Sequence, residues 1–341
     1  MYRQKKWWIG EMMMFENRII LITGGTGSWG YELTKKLLEY SPKEIRIFSR
    51  NEFAQVNMKR EFSDHPNLRY IIGDVRDYHS LFEACQDVDI LFHLAALKHV
   101  PICESQPLEA LKTNVDGTEN VIRASILQRV KKVIDVSTDK AVDPINFYGM
   151  TKAVGEKLMV WANDLSQETR FVCIRGGNVL GTNGSVVPYF KKLIQKGENI
   201  TLTSQEMTRY FLTVSQAIGL LLKAAEVAIG GEIFVMRMNS CRIVDLAQVM
   251  INSLAATNLK IEEIGVRPGE KIHEVLVSAH ESPNTFKYNE NYYVILPMNP
   301  TPELNSNYNH LPKVTFRKYD SNDKLMSQNE IEELLRQGGF I

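Results

Sequence analysis

The chain has 341 residues, of which 44% are hydrophobic and 23% are charged, as is typical of a globular protein with a sizeable core in one or two domains. Forty basic residues balance forty acidic ones without a run of five like charges, which argues against nucleic acid as a partner. No apolar run reaches about 18 residues, so we expect no membrane-spanning segment. The four cysteines form no C-x-x-C pair and no disulfide framework, which favours a cytoplasmic protein.

The first 16 residues are expected to be a disordered N-terminal extension. Gly10 and Glu11 interrupt its apolar stretch, and no small-residue cleavage site follows, so the segment lacks the pattern of a signal peptide. The alternative is that translation begins at one of the methionines at 12–14 and that residues 1–13 are not part of the natural protein.

Strand and helix patterns then alternate up to Gly176. Predicted strands are short β-branched runs, and predicted helices carry apolar residues at helical spacing. The strands are predicted at 18–23, 44–48, 68–72, 89–93, 132–136 and 170–174, and the helices at 31–40, from a capping box at 80–83, at 108–127 and at 148–165. This β-α-β order predicts an α/β protein with a Rossmann-like, doubly wound parallel sheet over residues 17–176, covered by helices on both faces.

The pattern becomes looser after Gly176. Glycines and prolines are frequent, small strands are predicted at 260–264 and 292–296, and a capping box at 327–330 begins a last helix. We interpret residues 177–341 mainly as a smaller α/β lobe that binds substrate.

The segment TGGTGSWG (23–30) places Gly24, Gly27 and Gly30 between the first strand and a helix. Glycines there allow a sharp turn and a close approach to a pyrophosphate at the helix N-terminus, so the segment predicts a dinucleotide site rather than a plain structural turn. Ser49 and Arg50 stand where an acidic residue would bind the ribose of NAD, which favours NADP, with NAD as the alternative. The other reading of Arg50 is a solvated surface charge.

Two further motifs indicate acid–base chemistry. Tyr148 and Lys152 lie four residues apart, on one face of a predicted helix, where an ammonium and a cofactor ribose can lower the pKa of the tyrosine toward neutrality. The fifth strand ends in Thr138-Asp139-Lys140, which offers a hydroxyl, an acid and a base at the edge where ligands bind open α/β sheets. The alternative for Asp139 and Lys140 is a surface salt pair.

These motifs resemble the extended short-chain dehydrogenase/reductase superfamily, and within it the inverting UDP-N-acetylglucosamine 4,6-dehydratases that open pseudaminic acid synthesis. The resemblance extends from about residue 17 to the C-terminus. The matching stretches are TGGTGSWG (23–30), FSRNE (48–52), IGDVRD (72–77), HLAALKHVP (93–101), TNVDGTENV (113–121), STDKAVDPINFYGMTK (137–152), GSVVP (184–188), MTRYF (207–211) and RPGEKIHE (267–274).

The resemblance implies a mechanism with net loss of water from UDP-N-acetylglucosamine. Tyr148, assisted by Lys152, removes the proton of the carbon 4 hydroxyl while hydride passes to a tightly bound NADP, and Thr138 holds the carbon 4 oxygen. Neutral Lys140 removes the carbon 5 proton, protonated Asp139 assists departure of the carbon 6 hydroxyl, and hydride returns to carbon 6. Both groups need pKa values moved toward neutrality.

The predicted site residues follow from the motifs and the resemblance together. The cofactor set is Gly24, Thr26, Gly27, Ser28, Trp29, Gly30, Ser49, Arg50, Asn51, Gln55, Asp74, Val75, Leu94, Ala95, Lys98, Tyr148, Lys152 and Val179. The substrate set is Asn114, Asn178, Ser185, Val186, Arg209, Arg267 and Glu270, with a structural ion pair as the alternative for each arginine. His93, His99 and His273 match no metal-ligand spacing, so no metal is expected.

Several other functions are compatible with these motifs. A retaining UDP-sugar dehydratase and a UDP-hexose 4-epimerase share most of the motifs, and a nucleotide-sensing protein without chemistry would share the glycine loop. Gly176 stands where the family usually has tyrosine, which is expected to loosen the pocket. The resemblance also implies a homo-oligomer, a dimer or a hexamer.

Overall fold

The computed structural model describes residues 14–182, 185–254, 256 and 258–341. Its first half forms six strands, each followed by helical chain except the last. The strands are β1 (Ile19–Thr23), β2 (Glu44–Ser49), β3 (Leu68–Ile72), β4 (Ile90–His93), β5 (Lys132–Thr138) and β6 (Arg170–Gly176). The helices are α1 (Ser28–Leu38), α2 (Glu52–Glu61), α3 (Tyr78–Ala84), α4 (Val100–Ser105), α5 (Pro107–Leu111), α6 (Gly117–Leu127) and α7 (Phe147–Ala162).

The second half has shorter elements. Its strands are β7 (Asn178–Val179), β8 (Ile200–Leu202), β9 (Thr208–Leu212), β10 (Ile233–Met236), β11 (Asn239–Arg242), β12 (Ile261–Glu263), β13 (Val275–Val277), β14 (Thr285–Lys287), β15 (Tyr292–Ile295) and β16 (Tyr319–Asp320). Its helices are α8 (Val186–Lys196), α9 (Val214–Val227), α10 (Ile243–Ser253), α11 (Pro302–Tyr308) and α12 (Gln328–Gln337).

Nine of the described strands form one sheet in the order β14-β15-β10-β6-β5-β4-β1-β2-β3. All neighbours from β3 to β10 are parallel, and β15 and β14 add two antiparallel pairings at one edge. β1, β4 and β6 are almost wholly buried, which explains their mostly apolar sequences. The predicted α/β class with a doubly wound parallel sheet is confirmed.

The boundary predicted at residue 176 does not separate the sheet from the second lobe. β10, β14 and β15 come from the second half of the chain but complete the nine-stranded sheet. The lobe itself is built on a three-stranded sheet, β11-β9-β7, and on a second buried apolar cluster that includes Phe190, Leu246 and Leu335. The two halves are therefore joined by shared strands, which fixes the lobe relative to the sheet edge.

Three local differences from the sequence prediction have physical causes. Phe15, expected in the extension, is fully buried against Tyr40 and Phe92, so the folded chain begins before residue 17; residues 1–13 lie outside the described part. Asp77 rather than Ser80 caps the third helix, since its carboxylate accepts from the N–H groups of His79 and Ser80. The predicted helix 108–127 contains a π-helical turn at Lys112–Asp116.

Within the described residues, no helix is both long enough and apolar enough to cross a membrane. They also contain no group of three or more His, Cys, Asp or Glu side chains that could hold a metal ion. His93 is a buried side chain whose ring nitrogens lie 2.8 Å from Thr23 Oγ1 and 3.2 Å from Thr118 Oγ1. Burial lowers the pKa of His93 to about 4, so the ring is neutral and serves as a packed, hydrogen-bonded link between β1, β4 and α6.

Candidate active site

A cavity of about 1290 Å³ begins at the loops that follow β1, β2 and β3 and extends past the ends of β4 and β5 to the second lobe. Among the predicted site residues, all but Gln55, Asn114 and Asp139 line it. The carboxyl ends of parallel strands meet at one edge of an open sheet, which is why residues far apart in the sequence converge here.

The glycine loop is a close-fitting cradle at the N-terminus of α1. Gly24 has φ of +66°, and a Cβ added there would lie 2.8 Å from the backbone N of Ala95. A Cβ added at Gly30 would collide with the backbone of Gly25, so the first turn of α1 packs directly on the loop. The structure shows no side-chain cap and no acidic residue in this first turn, which leaves the positive end of the helix to an anion such as a pyrophosphate.

The far end of the cavity contains Ser49 and Arg50 at the end of β2. Ser49 is buried, and its hydroxyl accepts a hydrogen bond from Gln55 Nε2. Gln55 also donates to the carbonyls of Ser49 and Ile71, so it braces β2 against β3, and it does not line the cavity. Arg50 is half exposed, and its guanidinium lies 3.7 Å from Asp74 Oδ2.

Asp74 holds two cations at this end of the cavity. Its carboxylate accepts hydrogen bonds from the side chain and backbone of Arg76. Burial raises the pKa of Asp74, but the bonds from Arg76 and the charge of Arg50 outweigh this effect and lower it. The carboxylate therefore stays ionised and orients Arg50 beside Ser49.

Tyr148 and Lys152 lie on α7 and face the cavity, both with under 10% of their surface exposed. Asn146 caps this helix by accepting from the Gly149 N–H, and its amide donates to Gly269 O at 2.8 Å, which ties α7 to the second lobe. A Cβ at Gly149 would collide with Lys140 O, so only glycine lets the helix approach the end of β5 this closely.

Lys152 forms a buried ion pair that the sequence analysis missed. Its Nζ lies 3.2 Å and 3.3 Å from the two carboxylate oxygens of Asp135, a fully buried residue of β5. Burial lowers the pKa of Lys152, but Asp135 raises it by more, so the ammonium is retained. The aspartate within an apolar strand could have indicated this ion pair, because a buried carboxylate requires a cation or hydrogen-bond donors.

The protein groups around Tyr148 together raise its pKa, whereas the predicted lowering depends on a cofactor ribose as well as on Lys152. Burial is the largest cause, while Lys152, Lys140 and a hydrogen bond with Thr138 act in the opposite direction. The ammonium of Lys152 shares its charge with Asp135, which weakens its pull on the phenol.

Lys140 lies at the centre of an ionic cluster at the end of β5. Its Nζ donates to Asp139 Oδ1 at 2.9 Å and to Asn178 Oδ1 at 3.3 Å, and it lies 3.7 Å from Glu274 Oε1. Burial lowers the pKa of Lys140, but Asp139 and Glu274 more than compensate and raise it. The two carboxylates thus move the pKa of this lysine away from neutrality, whereas the mechanism that the resemblance implies requires the opposite shift.

Asp139 is fully buried and does not line the cavity. It meets the cavity only through two neighbours, because its Oδ1 accepts from Thr138 Oγ1 and from Lys140 Nζ. Its other oxygen, Oδ2, has no hydrogen-bond partner in the described structure. Asp139, predicted as the acid for the departing hydroxyl, thus lies behind Thr138 and Lys140 and reaches the cavity through them.

Two residues predicted to bind substrate, Asn114 and Arg209, use most of their hydrogen-bonding groups for contacts within the protein. Asn114 is buried in the π-helical turn, where it bonds both backbone groups of Leu97 and the hydroxyl of Thr151, and these bonds position the loop after β4. Arg209 lines the cavity, but its guanidinium donates to three backbone carbonyls and lies 3.8 Å from Glu274 Oε1. The structural alternative for Arg209 is the one that the contacts favour.

The remaining predicted substrate residues line the part of the cavity that lies toward the second lobe. Asn178, Ser185, Val186, Arg267 and Glu270 line it, and Arg267 is exposed. Lys98 also lines it, with a pKa lowered by burial and by Lys140. Gly184 of the matched stretch GSVVP lies outside the described residues.

The turn that contains Gly176 is closely packed, not loose. A Cβ at Gly176 would lie 3.3 Å from Met236 Sδ, and one at Gly177 would lie 2.7 Å from Tyr210 Cβ. The Gly177 N–H also donates to Met238 Sδ at 3.0 Å. Two methionines and a tyrosine from the second half of the chain therefore surround this turn.

Residues 20–296 match the family described as polysaccharide biosynthesis protein. A UDP-N-acetylglucosamine 4,6-dehydratase (inverting) of Campylobacter jejuni is 47% identical over 83% of this chain and 84% of its own length. A UDP-glucose 4-epimerase of Rickettsia bellii is 43% identical over 79% and 80%, and an uncharacterized membrane protein of Methanocaldococcus jannaschii is 40% identical over 96% and 98%.

The solved structures include a protein named Pen from Bacillus thuringiensis, which is 39% identical and superposes with a TM-score of 0.87 over 95% of this chain and 99% of that one. The family match covers most of the chain, and the glycine loop and the Tyr148–Lys152 pair lie within it. The chain therefore belongs to the polysaccharide biosynthesis protein family, within the extended short-chain dehydrogenases/reductases.

Proposed function

We propose that the protein is a UDP-N-acetylglucosamine 4,6-dehydratase of the inverting type, which forms a UDP-2-acetamido-2,6-dideoxy-4-hexulose. The observation that carries this proposal is the position of Lys140, which faces the same cavity as Tyr148 and Lys152. Oxidation at carbon 4 requires only the tyrosine and its lysine, whereas elimination across carbons 5 and 6 requires a further base. The C. jejuni relative carries the corresponding name, which supports the same activity.

The cofactor that this activity requires is a nicotinamide dinucleotide, and the residues present fit it. The cradle of Gly24 and Gly30 accommodates a pyrophosphate and leaves no room for a side chain. Ser49 and Arg50 offer a hydroxyl and a cation to a ribose 2′-phosphate, which supports NADP over NAD. When bound, a nicotinamide would supply the hydride chemistry of the reaction, with transfer from carbon 4 of the sugar and return to carbon 6.

The residues of the chain supply the proton transfers. Tyr148 accepts the proton of the carbon 4 hydroxyl, and the cation of Lys152, retained by Asp135, favours the resulting phenolate. Lys140 accepts the proton of carbon 5, which a ketone at carbon 4 acidifies. Asp139, hydrogen-bonded to both Thr138 and Lys140, is the proposed acid for the departing hydroxyl of carbon 6.

The remaining assignments rest on the resemblance alone. We propose that the reaction is the first step toward pseudaminic acid or a related surface sugar, that it takes place in the cytoplasm and that the enzyme is a homo-oligomer.

The test is incubation of the purified protein with UDP-N-acetylglucosamine in deuterated water, followed by proton NMR. We expect a 4-keto-6-deoxy sugar with inverted configuration and deuterium at carbon 5, without consumption of added NADPH. Retained configuration in the earliest product would instead identify a retaining dehydratase. Formation of a carbon 4 epimer without deuterium at carbon 5 would refute the dehydratase assignment.

The 4-epimerase is the second candidate, because a relative with that name is 43% identical over 79% of the chain. Lys140 distinguishes the two, since epimerisation at carbon 4 needs no base at carbon 5. We expect Lys140→Ala to abolish deuterium incorporation and to leave cofactor binding unchanged, while an epimerase would keep its activity on UDP-glucose.

A further inference from the structure

The proposed elimination requires Lys140 as a free amine, but the two carboxylates next to its Nζ favour the ammonium. Its Nζ contacts Asp139 at 2.9 Å and Glu274 at 3.7 Å, and the two carboxylates raise its pKa. A protonated lysine cannot accept the proton of carbon 5. The site therefore needs a group that takes a proton from Lys140 before the elimination.

Glu274 is close enough to Lys140 to accept this proton and has an oxygen without a hydrogen-bond partner. It is only 2% exposed, yet it lines the cavity, and its Oε2 has no hydrogen-bond partner among the described residues. Its Oε1 lies between Lys140 Nζ at 3.7 Å and Arg209 Nε at 3.8 Å. Asp139 also has one unpartnered oxygen, Oδ2, but its Oδ1 already accepts from Thr138 and Lys140 and the residue does not line the cavity, so Glu274 is the carboxylate of the two that opens onto the site.

The backbone holds Glu274 firmly next to β13. Its N–H donates to Ser321 Oγ at 2.9 Å, and its carbonyl accepts from the Ser321 N–H at 2.8 Å. Ser321 Oγ also lies 2.6 Å from Thr208 Oγ1, on the strand that carries Arg209. The carboxylate is therefore fixed at the boundary between the sheet edge and the lobe, opposite the end of β5.

A closed cavity favours the neutral form of this pair. Two opposite charges in a place from which water is excluded lose solvation, and their attraction compensates for this loss only when the contact is short. At 3.7 Å the contact is longer than a charge-assisted hydrogen bond, and burial is the main reason that the pKa of Glu274 is raised. A sugar that fills the cavity removes more water and shifts the balance further toward amine and carboxylic acid.

We propose that Glu274 is the proton acceptor that converts Lys140 from an ammonium into the base of the elimination; this inference rests on the proposed function. One N–H bond of Lys140 breaks and one O–H bond forms on Glu274, and no electrons are transferred to another group. Lys140 then takes the proton of carbon 5 and passes it to Asp139, which gives it to the departing hydroxyl. The proton held by Glu274 then returns to Lys140, which contacts both carboxylates, so that the ammonium and the two carboxylates are restored.

The protonation of Lys140 is set by charged groups on several elements. Asp139 lies on its own turn, Arg209 on β9, Tyr148 on α7, Lys98 after β4, and Lys271 and Glu274 just before β13. The three other cations disfavour the ammonium and the carboxylates favour it. Only Glu274 combines a carboxylate that lines the cavity with a free oxygen among these described neighbours.

Glu274→Gln tests the proposal, because the amide keeps the shape but binds no proton at this pH. We expect deuterium incorporation at carbon 5 to fall about 100-fold at pH 7, a size typical of lost acid–base catalysis, and to recover as the pH rises, because Lys140 then loses its proton to solvent. Affinity for UDP-N-acetylglucosamine, measured by calorimetry, should stay within a factor of about three, since a substrate-binding role alone would change affinity.

A purely electrostatic role predicts the opposite result. If Glu274 only stabilises the ammonium, its removal lowers the pKa of Lys140, and the variant is as fast as the wild type or faster at pH 7. That outcome, or a loss that is the same at every pH, would overturn the proposal. Glu281→Gln is the matched control, because Glu281 is a partly buried carboxylate paired with a buried cation, Arg175, and the cavity lining described here does not include it.

Glu274→Asp covers the case in which the glutamine variant does not fold. It keeps the acceptor but shortens its reach, so we expect a reduced rate with the pH profile of the wild type; a profile that rises with pH would contradict the inference. Wild-type protein that incorporates no deuterium at carbon 5 would refute the proposed function itself. A wild-type enzyme that works together with an unimpaired Glu274→Gln variant would refute only the role of Glu274.

Discussion

Replacing Asp135 tests whether the cation of Lys152 depends on a buried partner. The exposed fraction of both side chains is at most 5%, and the ammonium lies 3.2 Å and 3.3 Å from the two carboxylate oxygens. Removing one partner of a buried ion pair leaves an uncompensated charge, so we expect Asp135→Leu to lower the free energy of unfolding by about 3–5 kcal/mol. An exposed pair such as Glu332–Arg336 should contribute less than about 1 kcal/mol when it is broken.

The double variant Asp135→Leu/Lys152→Met isolates the pair interaction. Two apolar side chains of similar volume replace the charges, so we expect most of the lost stability to return. The assay is urea denaturation of the wild type, both single variants and the double variant, evaluated as a double-mutant cycle. Additive single effects, or a cost below about 1 kcal/mol for Asp135→Leu, would refute the dependence of Lys152 on Asp135.

The same pair predicts a pH dependence with a definite sign. Asp135 raises the pKa of Lys152 above its unfolded value, so the stability that the pair contributes is present at neutral pH and is lost as the pH rises through the folded pKa. Without Asp135, burial lowers the pKa of Lys152, and the amine becomes neutral at a lower pH. The stability difference between wild type and Asp135→Leu should therefore shrink between pH 7 and pH 10, and a constant difference would contradict the argument.

Three further predictions concern the two ends of the cavity. Gly24→Ala should abolish dinucleotide binding in calorimetry, because its Cβ would overlap the loop after β4. The control Gly197→Ala should retain binding, because Gly197 has a similar positive φ but no described atom lies within 4 Å of the new Cβ. Arg50→Ala should weaken NADP binding at least tenfold and leave NAD binding nearly unchanged; equal losses would refute a 2′-phosphate contact. Phe340→Ala should raise the KM for the nucleotide sugar several-fold without changing cofactor affinity, because the Phe340 ring packs on Gly181 beside the cavity; unchanged KM would refute this.

The elements that the sequence predicted well are those whose signals are local. β3 was predicted with its observed bounds of 68–72, and β1, β2 and β4 to within a residue at either end, because a buried parallel strand is a short apolar run between turn signals. The last helix likewise begins at the predicted capping box, where Ser327 and Glu330 bond each other's backbone N–H. The glycine loop and the Tyr148–Lys152 pair were recognisable because their spacing within a few residues is itself the chemical requirement.

The features that the sequence did not predict depend on pairing between distant segments. β10 joins the sheet beside β6, although its apolar run gives no indication of which strand it pairs with. Glu274 lies next to Lys140, although 134 positions of the chain separate them. The amide of Asn114 forms hydrogen bonds with Leu97 and Thr151 and does not face the cavity. For Glu274 and Asn114 the residue type alone indicated polar contacts, but only the fold decides which partner is within hydrogen-bond distance.

The two lysines of the site differ in a way that suits different tasks. Lys152 is 5% exposed and is held by both oxygens of one carboxylate, so its charge is fixed and can support a phenolate without itself titrating. The side chain of Lys140 is 22% exposed, lines the cavity and lies between two carboxylates, of which the nearer is at 2.9 Å and the farther at 3.7 Å. A cation between two acceptors can pass a proton to either one as water enters or leaves, whereas a cation clamped by one buried partner cannot. Under the proposed function, the first arrangement suits oxidation at carbon 4 and the second suits elimination at carbons 5 and 6, and the cavity brings both next to the same sugar.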